Sequence, residues 1–219
     1  MKAACYCATR NIYGDLAPSV NSLLANSDVD KVYLLIEDDT FPYKLPQKVE
    51  TRNVKEQTYF HRNGPNFNNS WTYMVLMRAA LHREFPDLDR ILSLDVDTIV
   101  AKDISELWEL PIDDYWIAGA REPYKSQFYD LYINCGVMLM NLKKLREDGK
   151  GDELINALNT KRYSYNEQDA IADLCHGGIY ELPSDYNANE YTKPTVTPKI
   201  IHFAAIQHWQ DLPLVEMYK

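Results

Sequence analysis

The chain has 219 residues, of which 46% are hydrophobic and 25% charged. Its net charge of -9 argues against a nucleic-acid backbone or an anionic membrane surface as the main partner, because like charges repel. Four cysteines are too few for a disulfide framework, and no stretch approaches the roughly 18 uncharged apolar residues that a membrane span needs. We therefore expect one soluble, cytoplasmic domain over residues 1–219, with no transmembrane segment and no nucleic acid among its partners.

The first ninety residues alternate short apolar runs, typical of strands, with apolar residues at helical spacing. The polar segment 41–65 carries turn residues such as Gly64 and is expected to be an irregular, mobile loop. The predicted elements are strands at 3–8 and 31–36, a helix beginning near Pro18, and a second helix that is capped by Asn69 or Ser70 and runs to about Phe85.

An apolar run at 91–100 is interrupted by Asp95 and Asp97. In a strand, side chains at i and i+2 leave the same face, so the two carboxylates would converge while Val96 packs behind them. Desolvated like charges repel each other, and a divalent cation is the simplest way to keep both carboxylates ionised. The alternative is that the strand ends at Asp95 and that both aspartates are solvated in a turn.

The alternation of strands and helices continues to the C-terminus and predicts an open, largely parallel α/β sheet, whose ligands bind at the carboxyl ends of the strands. Asp95 and the turn after Ala8 fall at such ends. The chain has no G-x-G-x-x-G after its first strand and no P-loop lysine, which disfavours dinucleotide-binding and P-loop proteins. The remaining predicted elements are helices at 104–110, 152–161 and 167–175 and strands at 115–120, 136–142, 179–182 and 199–203.

Four blocks of sequence occur in an order and spacing typical of one known family. They are residues 90–108 with the D-x-D pair, 133–142 with Asn-Cys-Gly-Val, 166–169 with Asn-Glu-Gln-Asp, and 201–209 from Ile-His-Phe to Trp. They resemble the D-x-D, N-[SA]-G-V, D-Q-D and H-[FY]-x-G…K-P-W segments of glycosyltransferase family 8. The resemblance implies a single-domain GT-A fold, a Rossmann-like open mixed sheet flanked by helices, with a nucleotide-binding part at about 1–100 and a sugar- and acceptor-binding part at about 101–219.

The resemblance also implies a UDP-glucose or UDP-galactose donor, retention of anomeric configuration and dependence on Mn²⁺, with Mg²⁺ as the second option. Asp95, Asp97 and His202 would be the ligands of the ion. Two carboxylates with one imidazole favour Mn²⁺ over Mg²⁺, which rarely accepts a nitrogen ligand. The ion would stabilise charge on the departing diphosphate. The acceptor, whether glycan, protein or lipid-linked, and the oligomeric state stay open.

Carried over residue by residue, the resemblance makes Gln168, Glu167 and Asp97 the catalytic residues, with Gln168 beside the anomeric carbon. An amide is a weak nucleophile, so we expect front-side attack in which the leaving phosphate accepts the acceptor's proton. Thr9 and Tyr13 would line the uracil pocket, with Tyr13 supplying a stacking face. The other predicted donor-binding residues are Cys7, Ala8, Arg10, Arg78, Asp95, Val96, Glu122, Asn134, Cys135, Gly136, Gln207 and His208.

The lysine that binds diphosphate in the family's last block is absent before Trp209, where only Gln207 and His208 stand. Loss of one charge-assisted phosphate contact predicts weaker donor binding, by about 2 to 3 kcal/mol, unless Arg10 or Lys193 compensates. Further departures from the family pattern are Arg10 in place of an acid or amide, Glu122 in place of a sugar-binding aspartate and Glu167 in place of the first Asp of D-Q-D.

Two other functions fit part of the sequence. Haloacid-dehalogenase-like phosphatases also carry D-x-D-x-[TV] after an apolar strand, and there Asp95 would be the nucleophile, Asp97 the acid/base and Mg²⁺ the metal. Such phosphatases usually begin with this strand and need a later lysine and an acidic pair at strand ends. Here about 90 residues precede the strand and no convincing acidic pair of that kind follows, which disfavours a phosphatase. A nucleotide-sugar binding module without turnover is the third candidate. The missing lysine favours that module, whereas the presence of Asp95, Asp97, Gln168 and His202 disfavours it.

Overall fold

The computed structural model describes residues 1–68, 71–125, 128–192 and 197–219. Short strands and helices alternate along these ranges, as the sequence predicts. The strands are β1 (Ala3–Cys7), β2 (Lys31–Ile36), β3 (Val49–Asn53), β4 (Arg90–Leu94), β5 (Thr98–Val100), β6 (Ile117–Arg121), β7 (Ile133–Asn141), β8 (Ile179–Leu182) and β9 (Ile200–His202). The α-helices are α1 (Leu16–Asn26), α2 (Leu81–Glu84), α3 (Leu142–Glu147), α4 (Lys150–Thr160), α5 (Asn166–Leu174) and α6 (Pro213–Glu216).

Helical turns of the tighter 3-10 type connect several of these elements. They span Arg10–Asp15, Tyr73–Ala80, Ser105–Glu109, Ser184–Asn187 and Trp209–Asp211. The longest helices, α1 and α4, have 11 residues each. No helix in the described ranges has both the length and the apolar character needed to cross a bilayer.

Seven strands form one mixed sheet in the order β3-β2-β1-β4-β7-β6-β8, and β5 pairs with β9 separately. Strand β7 is antiparallel to both of its neighbours, while the other six strands run in one direction. The sheet is therefore mixed and mostly parallel, as predicted. Because β7 is reversed, its first residues lie at the same edge as the carboxyl ends of β1, β4, β6 and β8.

The sheet is covered on both faces, which explains its nearly continuous apolar strands. Along β1, Ala3 and Cys5 belong to one buried cluster, whereas Ala4 and Tyr6 belong to another, since successive side chains leave opposite faces. All nine residues of β7 are buried. A third, smaller cluster joins Ile99 to the C-terminal segment.

Several predicted elements differ from the structure. The run 91–100 is two strands, β4 and β5, in two different sheets, and residues 95–97 form the turn between them. The segment 41–65 contains β3, which pairs with β2, so it is not wholly irregular. The helix expected to end at Phe85 is a 3-10 turn followed by the short α2, and α3 was not predicted. Asn69, Ser70 and Lys193 lie outside the described residues.

Candidate active site

A cleft of about 740 Å³ opens at the sheet edge where the carboxyl ends of β1, β4 and β6 meet the start of β7. Such an edge is the usual ligand site of open α/β sheets. The predicted site residues that line the cleft are Cys7, Arg78, Asp95, Val96, Asp97, Glu122, Asn134, Cys135, Gly136, Glu167, Gln168, His202 and Gln207. Sequence blocks that are far apart along the chain therefore meet in one place.

Asp95, Asp97 and His202, which we call the carboxylate–histidine group, converge within this cleft. One ligand atom from each lies within 4.8 Å of the other two. His202 Nε2 is 3.6 Å from Asp95 Oδ2 and 3.3 Å from Asp97 Oδ1. Strand β9 brings His202 opposite Thr98 of β5, and the N–H of Phe203 donates to the Asp97 carbonyl. The carboxylates therefore converge because a turn and a two-stranded pairing position them, not because they share one strand face.

The His202 ring is held in one orientation by a buried amide. Its Nδ1 lies 2.9 Å from Asn187 Oδ1, and the Asn187 amide nitrogen donates to the backbone and side-chain oxygens of Asn134. Since the amide nitrogen of Asn187 is used elsewhere, its oxygen must accept the proton on Nδ1. When the ring is neutral, Nε2 therefore keeps its lone pair and can offer it to a cation beside the two aspartates, the arrangement found in metal-binding histidines.

The charges of the group stabilise one another. Burial raises the pKa of Asp97, but the hydrogen bond and attraction of His202 outweigh burial and hold that pKa below its ordinary value. Burial lowers the pKa of His202, and its hydrogen bond to Asp97 outweighs this and raises the pKa above the usual range. A protonated imidazole thus balances the carboxylates in the ion-free chain, and a divalent cation would replace that proton.

Gly136 in β7 makes room for the histidine. A Cβ atom at this position would overlap the His202 ring, with Nε2 only 2.9 Å away and Cε1 closer still. The N–H of Asp95 donates to the Gly136 carbonyl at 2.8 Å, so the backbone of β7 also fixes the first aspartate. Gly136, predicted as a donor-binding residue, thus also leaves the space that the His202 ring fills.

Arg78 connects the carboxylate–histidine group to α5. The guanidinium is buried, and its Nη1 lies 3.0 Å from Asp95 Oδ1 and donates to the Cys135 carbonyl at 2.7 Å. Its Nη2 lies 3.0 Å from Glu167 Oε1. Burial raises the pKa of Glu167 to about 7 even though the Arg78 charge opposes the shift. The arginine charge is therefore shared between two carboxylates on different elements.

Gln168 is fixed at both ends of its amide. Its Oε1 accepts the N–H of Cys135 at 3.0 Å, and its Nε2 donates to Glu122 Oε2 at 3.2 Å. Asn134 donates to the same Glu122 oxygen at 3.1 Å. Glu122 is buried and thus orients two amides that face the cleft.

The segment after β1, residues 8–13, differs from the prediction. Tyr13 is 3% exposed, its hydroxyl donates to Asp38 and accepts the N–H of Glu37, and its ring packs on Phe41. It therefore offers no stacking face to the cleft. Ile12 and Asp15 line the cleft in its place, while Ala8, Thr9, Arg10 and Tyr13 are not among the described lining residues. Arg10 forms an exposed pair with Asp38.

The last predicted block, residues 201–209, lines the cleft with His202, Ala204, Ala205, Ile206, Gln207 and Trp209. Gln207 lines the cleft and is exposed, whereas His208 is not among its described lining residues. Ala205 and His208 have φ angles of 60° and 57°, in the left-handed region that ordinary residues seldom occupy. Asn166, at the start of α5, has φ 46°. Backbone strain therefore clusters around the cleft, as it often does at functional sites.

Sequence reasoning missed several residues of the cleft. Asn187 and Asn189 stand in a polar stretch where an N-x-N pair carries no recognisable signal, yet the Asn189 amide nitrogen donates to Asn187 Oδ1 at 2.9 Å. Predicting that Ile12 lines the cleft would have required the orientation of the 3-10 turn Arg10–Asp15, which the sequence does not reveal. Other missed lining residues include four aromatic side chains, Trp71, Tyr124, Tyr165 and Tyr191.

Known proteins resemble this chain over most of its length. The sequence pattern of "Glycosyl transferase family 8" matches residues 6–211. General stress protein A of Bacillus subtilis is 26% identical over 84% of this chain and 73% of that protein. Lipopolysaccharide 1,2-glucosyltransferase of Escherichia coli is 24% identical, over 98% of this chain and 75% of that protein. A Haemophilus influenzae relative is 26% identical over 56% of this chain, but over only 42% of its own length.

Solved structures share the fold. The glycosyltransferase GlyE of Streptococcus pneumoniae superposes with a TM-score of 0.73 at 19% identity, covering 99% of this chain and 59% of that one. The galactosyltransferase LgtC, solved with donor and acceptor sugar analogues, gives 0.69 at 18% identity, covering 91% and 86%. At such identities the likeness establishes the GT-A fold alone. Because the family pattern covers nearly the whole sequence, the chain belongs to glycosyltransferase family 8.

Proposed function

We propose that this chain is a metal-dependent, retaining hexosyltransferase that transfers glucose or galactose from a UDP-sugar to an acceptor. The carboxylate–histidine group is the observation that carries the proposal, because three potential ligand atoms from separate parts of the chain lie within 4.8 Å of one another inside the cleft. Family membership supports the transferase chemistry. A cytoplasmic location is part of the same proposal and is supported by the four free cysteines.

The donor set fits a divalent transition metal. Asp95 and Asp97 offer hard oxygens, and His202 offers one nitrogen whose direction Asn187 fixes. Mg²⁺ seldom accepts a nitrogen ligand, so this set favours Mn²⁺. When bound, the ion would supply electrostatic stabilisation to the negative charge that develops on the departing diphosphate.

The chain's own residues hold this site in shape. Arg78 lies 3.0 Å from Asp95 Oδ1 and holds that side chain at the cleft. Gly136 leaves the space that the His202 ring fills. A cleft of about 740 Å³ falls within the usual range for small-ligand pockets.

The reaction we propose is a front-side displacement at the anomeric carbon. A bond forms from an acceptor hydroxyl oxygen to that carbon, the bond from the carbon to the diphosphate oxygen breaks, and the acceptor's proton passes to the leaving phosphate. Gln168, fixed by Glu122 and by the N–H of Cys135, orients the transferred sugar. Glu167 is committed to Arg78, which makes it a poor nucleophile and supports a one-step route.

Donor binding should be weak for a member of this family. Arg10 pairs with Asp38 and does not line the described part of the cleft, so it is a poor substitute for the missing lysine. Gln207 lies on the cleft wall but is uncharged. A divalent cation held by the carboxylate–histidine group would therefore supply most of the attraction for the diphosphate.

The test is release of UDP from UDP-glucose and from UDP-galactose in the presence of Mn²⁺, with GDP-mannose as the control donor. Metal-dependent UDP release supports the proposal. Binding without turnover would support the nucleotide-sugar binding module. Membership of glycosyltransferase family 8 argues against the phosphatase, which release of phosphate from a phosphomonoester would reinstate.

A further inference from the structure

The start of β7 leaves the regular sheet pairing where the strand reaches the cleft. Met138 lies opposite Gly119 of β6, but Ile133 lies opposite Arg121, so two steps along β6 correspond to five steps along β7. Among the described residues, 134–136 have no opposite residue in the pairing with β6 or with β4. We call residues 134–136 the β7 bulge. Bulges redirect backbone groups and side chains and are common beside functional sites.

The backbone of the β7 bulge is hydrogen-bonded to residues of the candidate active site. Four of its groups take part, each with a different partner. They are the Asn134 carbonyl, the Cys135 N–H, the Cys135 carbonyl and the Gly136 carbonyl, and their partners are, in that order, Asn187 at 3.1 Å, Gln168 at 3.0 Å, Arg78 at 2.7 Å and Asp95 at 2.8 Å. The bulge therefore contacts both the supports of the carboxylate–histidine group and the amide that we place beside the transferred sugar.

The Asn134 side chain closes the bulge. Its Oδ1 accepts the Gly136 N–H at 3.1 Å and the Asn187 amide nitrogen at 3.0 Å. Its Nδ2 donates to Glu122 Oε2 at 3.1 Å. Because a backbone N–H can only donate, the oxygen must face Gly136 and the amide has one orientation. Asn134 is 8% exposed, and at most one of its N–H groups is left for a ligand.

These hydrogen bonds form one continuous chain across the site. On the metal side the chain runs from His202 Nδ1 through Asn187 to Asn134. From Asn134 it continues through Glu122 to the Gln168 amide nitrogen, at 3.2 Å. All members except Gln168 are buried. A break in a buried chain leaves its neighbours without partners, so displacement of Asn134 should affect both ends.

We infer that Asn134 is a positioning residue that holds the His202 imidazole and the Gln168 amide in one fixed arrangement. The sequence predicts a donor-binding role for Asn134, but most of its polar capacity is used within the protein. The inference rests on the proposed function for the metal ion and for the role of Gln168. It predicts that Asn134, which is not among the candidate metal ligands, affects Mn²⁺ binding in the absence of any donor.

The first test is calorimetric titration of the full chain with Mn²⁺ and no nucleotide. Asn134→Ala removes the support of Asn187, and we expect Mn²⁺ affinity to fall by about fivefold, as it does when outer partners of metal-binding histidines are lost. Asn134→Asp at pH 8 keeps an oxygen facing Gly136 and Asn187, so its Mn²⁺ affinity should be no lower than that of the unmodified protein. Asn156→Ala, on an exposed helix surface, is the control, and thermal unfolding shows which variants are folded.

The second test is NMR of the metal-free protein labelled with nitrogen-15 glutamine. The side-chain signals of Gln168 are those that disappear in Gln168→Ala. Asn134→Ala and Asn134→Asp should both move these signals toward the shifts of exposed glutamines. In Asn134→Ala the carboxylate of Glu122 loses one of the two amides that hold it, and in Asn134→Asp a second carboxylate faces and repels it.

A double-mutant cycle tests whether Asn134 and Asn187 act through the same chain of hydrogen bonds. Asn187→Ala alone should lower Mn²⁺ affinity by about 10-fold. Adding Asn134→Ala should lower it no further, because the chain is already broken, whereas independent effects would multiply to about 50-fold.

The outcomes separate this inference from the proposed function. Unchanged Mn²⁺ affinity in a folded Asn134→Ala, effects that multiply in the cycle, or unchanged Gln168 signals would each overturn the inference. If Asn134→Ala does not fold, Asn134→Asp decides: retained Mn²⁺ affinity with displaced Gln168 signals supports the inference, and any other combination overturns it. None of these measurements uses turnover, so failure of every UDP-sugar as a donor would reject the proposed function alone.

Discussion

The two ends of the cleft, at the carboxylate–histidine group and at the segment after β1, differ in how firmly their side chains are positioned. At the carboxylate–histidine group, each ligand candidate is oriented by a partner from another element, such as Arg78 on Asp95 and Asn187 on His202. In the segment after β1, the polar side chains turn away, and Tyr13 and Arg10 both bind Asp38. The side chains of the carboxylate–histidine group are therefore held ready to bind a cation, whereas the segment after β1, residues 8–13, presents no charged side chain of its own to the described part of the cleft.

This difference predicts where substitutions should matter. Changes in the carboxylate–histidine group and its supports should have large effects on metal and nucleotide binding, because buried polar networks lose several interactions at once. Changes in the segment after β1 should have small effects, because its charged pair is exposed.

Asp97→Ala tests the charged end most directly. We expect metal-dependent UDP release to fall by at least about 100-fold, because the diphosphate loses its electrostatic stabilisation. The fold should persist, since Asp97 is half-buried in the turn between β4 and β5 and belongs to none of the apolar clusters. UDP release with added Mn²⁺ and thermal unfolding measure the two effects. Asp87→Ala, an exposed loop aspartate, is the control, and release by Asp97→Ala at the unmodified level would exclude the metal role.

Gly136→Ala tests whether the space around His202 is needed. The added Cβ would overlap the imidazole, so the ring must move away from the aspartates. We expect Mn²⁺ affinity to fall by at least about 10-fold, and the free energy of unfolding to drop by about 1 to 3 kcal/mol, as overpacked cores do. Calorimetry and denaturant unfolding measure these effects.

Gly14→Ala is the matched control for that experiment, because its Cβ would meet only the Tyr43 hydroxyl oxygen at 3.5 Å. If both glycine variants bind Mn²⁺ equally well, His202 does not depend on the gap at Gly136.

Glu167→Gln tests the buried support behind Asp95. In the folded chain the pKa of Glu167 is about 7, whereas its ordinary value is 4.5. The folded state therefore keeps a proton that the unfolded state releases, so the unmodified protein loses stability as pH rises from about 4.5 to 7. Glu167→Gln removes that loss and should gain up to about 3 kcal/mol relative to the unmodified protein at pH 8, with little difference near pH 4.5.

Denaturant unfolding at a series of pH values measures this dependence, and Glu109→Gln, on the exposed surface, is the control. If the free energy of unfolding has the same pH dependence in Glu167→Gln and in the unmodified protein, the pKa of Glu167 is not raised. The charge of Arg78 would then offset the effect of burial.

Asn187→Ala tests the orientation of His202. Without the Asn187 oxygen, the proton is no longer held on Nδ1, and we expect Mn²⁺ affinity to fall by about 10-fold, as for other partners of metal-binding histidines. Nitrogen-15 NMR of the imidazole should show the Nδ1–H form in the unmodified protein at a pH where the ring is neutral, and a mixture of tautomers in the variant.

Asn156→Ala, an exposed helix residue, is the control for that variant. If the imidazole of Asn187→Ala keeps the Nδ1–H tautomer, the hydrogen bond to Asn187 does not determine how His202 binds the metal.

The same contrast explains what the sequence could predict. The order of strands and helices could be predicted from the spacing of apolar residues. The meeting of Asp95, Asp97 and His202 could be predicted from the family resemblance. The first interpretation of that meeting, one continuous strand face, was wrong. The structure instead has the turn that stood as its alternative, between β4 and a β5 that lies in another sheet. The pairing of β5 with β9, which lies about 100 residues further along the chain, draws β5 out of the main sheet.

Side-chain direction in irregular segments was equally out of reach. A 3-10 turn places three residues per turn, so a one-residue difference in its start exchanges Ile12 for Tyr13 on the cleft face. Strand β3 was missed because its sequence, VETRN, is polar at an exposed edge and shows little apolar alternation. Asn187 carries no sequence signal because its role depends on residues that are distant along the chain.

The smallest expected effects lie in the segment after β1. Arg10→Ala should change UDP affinity by less than about twofold, because the exposed Arg10 side chain is committed to Asp38 and lies away from the cleft lining. Gln207→Lys should raise UDP affinity by about threefold, since it adds a solvent-screened charge on the cleft wall. Calorimetric titration of UDP with Mn²⁺ measures both. If Arg10→Ala weakened UDP binding as much as Asp97→Ala does, the segment after β1 would supply charge after all, and the contrast between the two ends would fail.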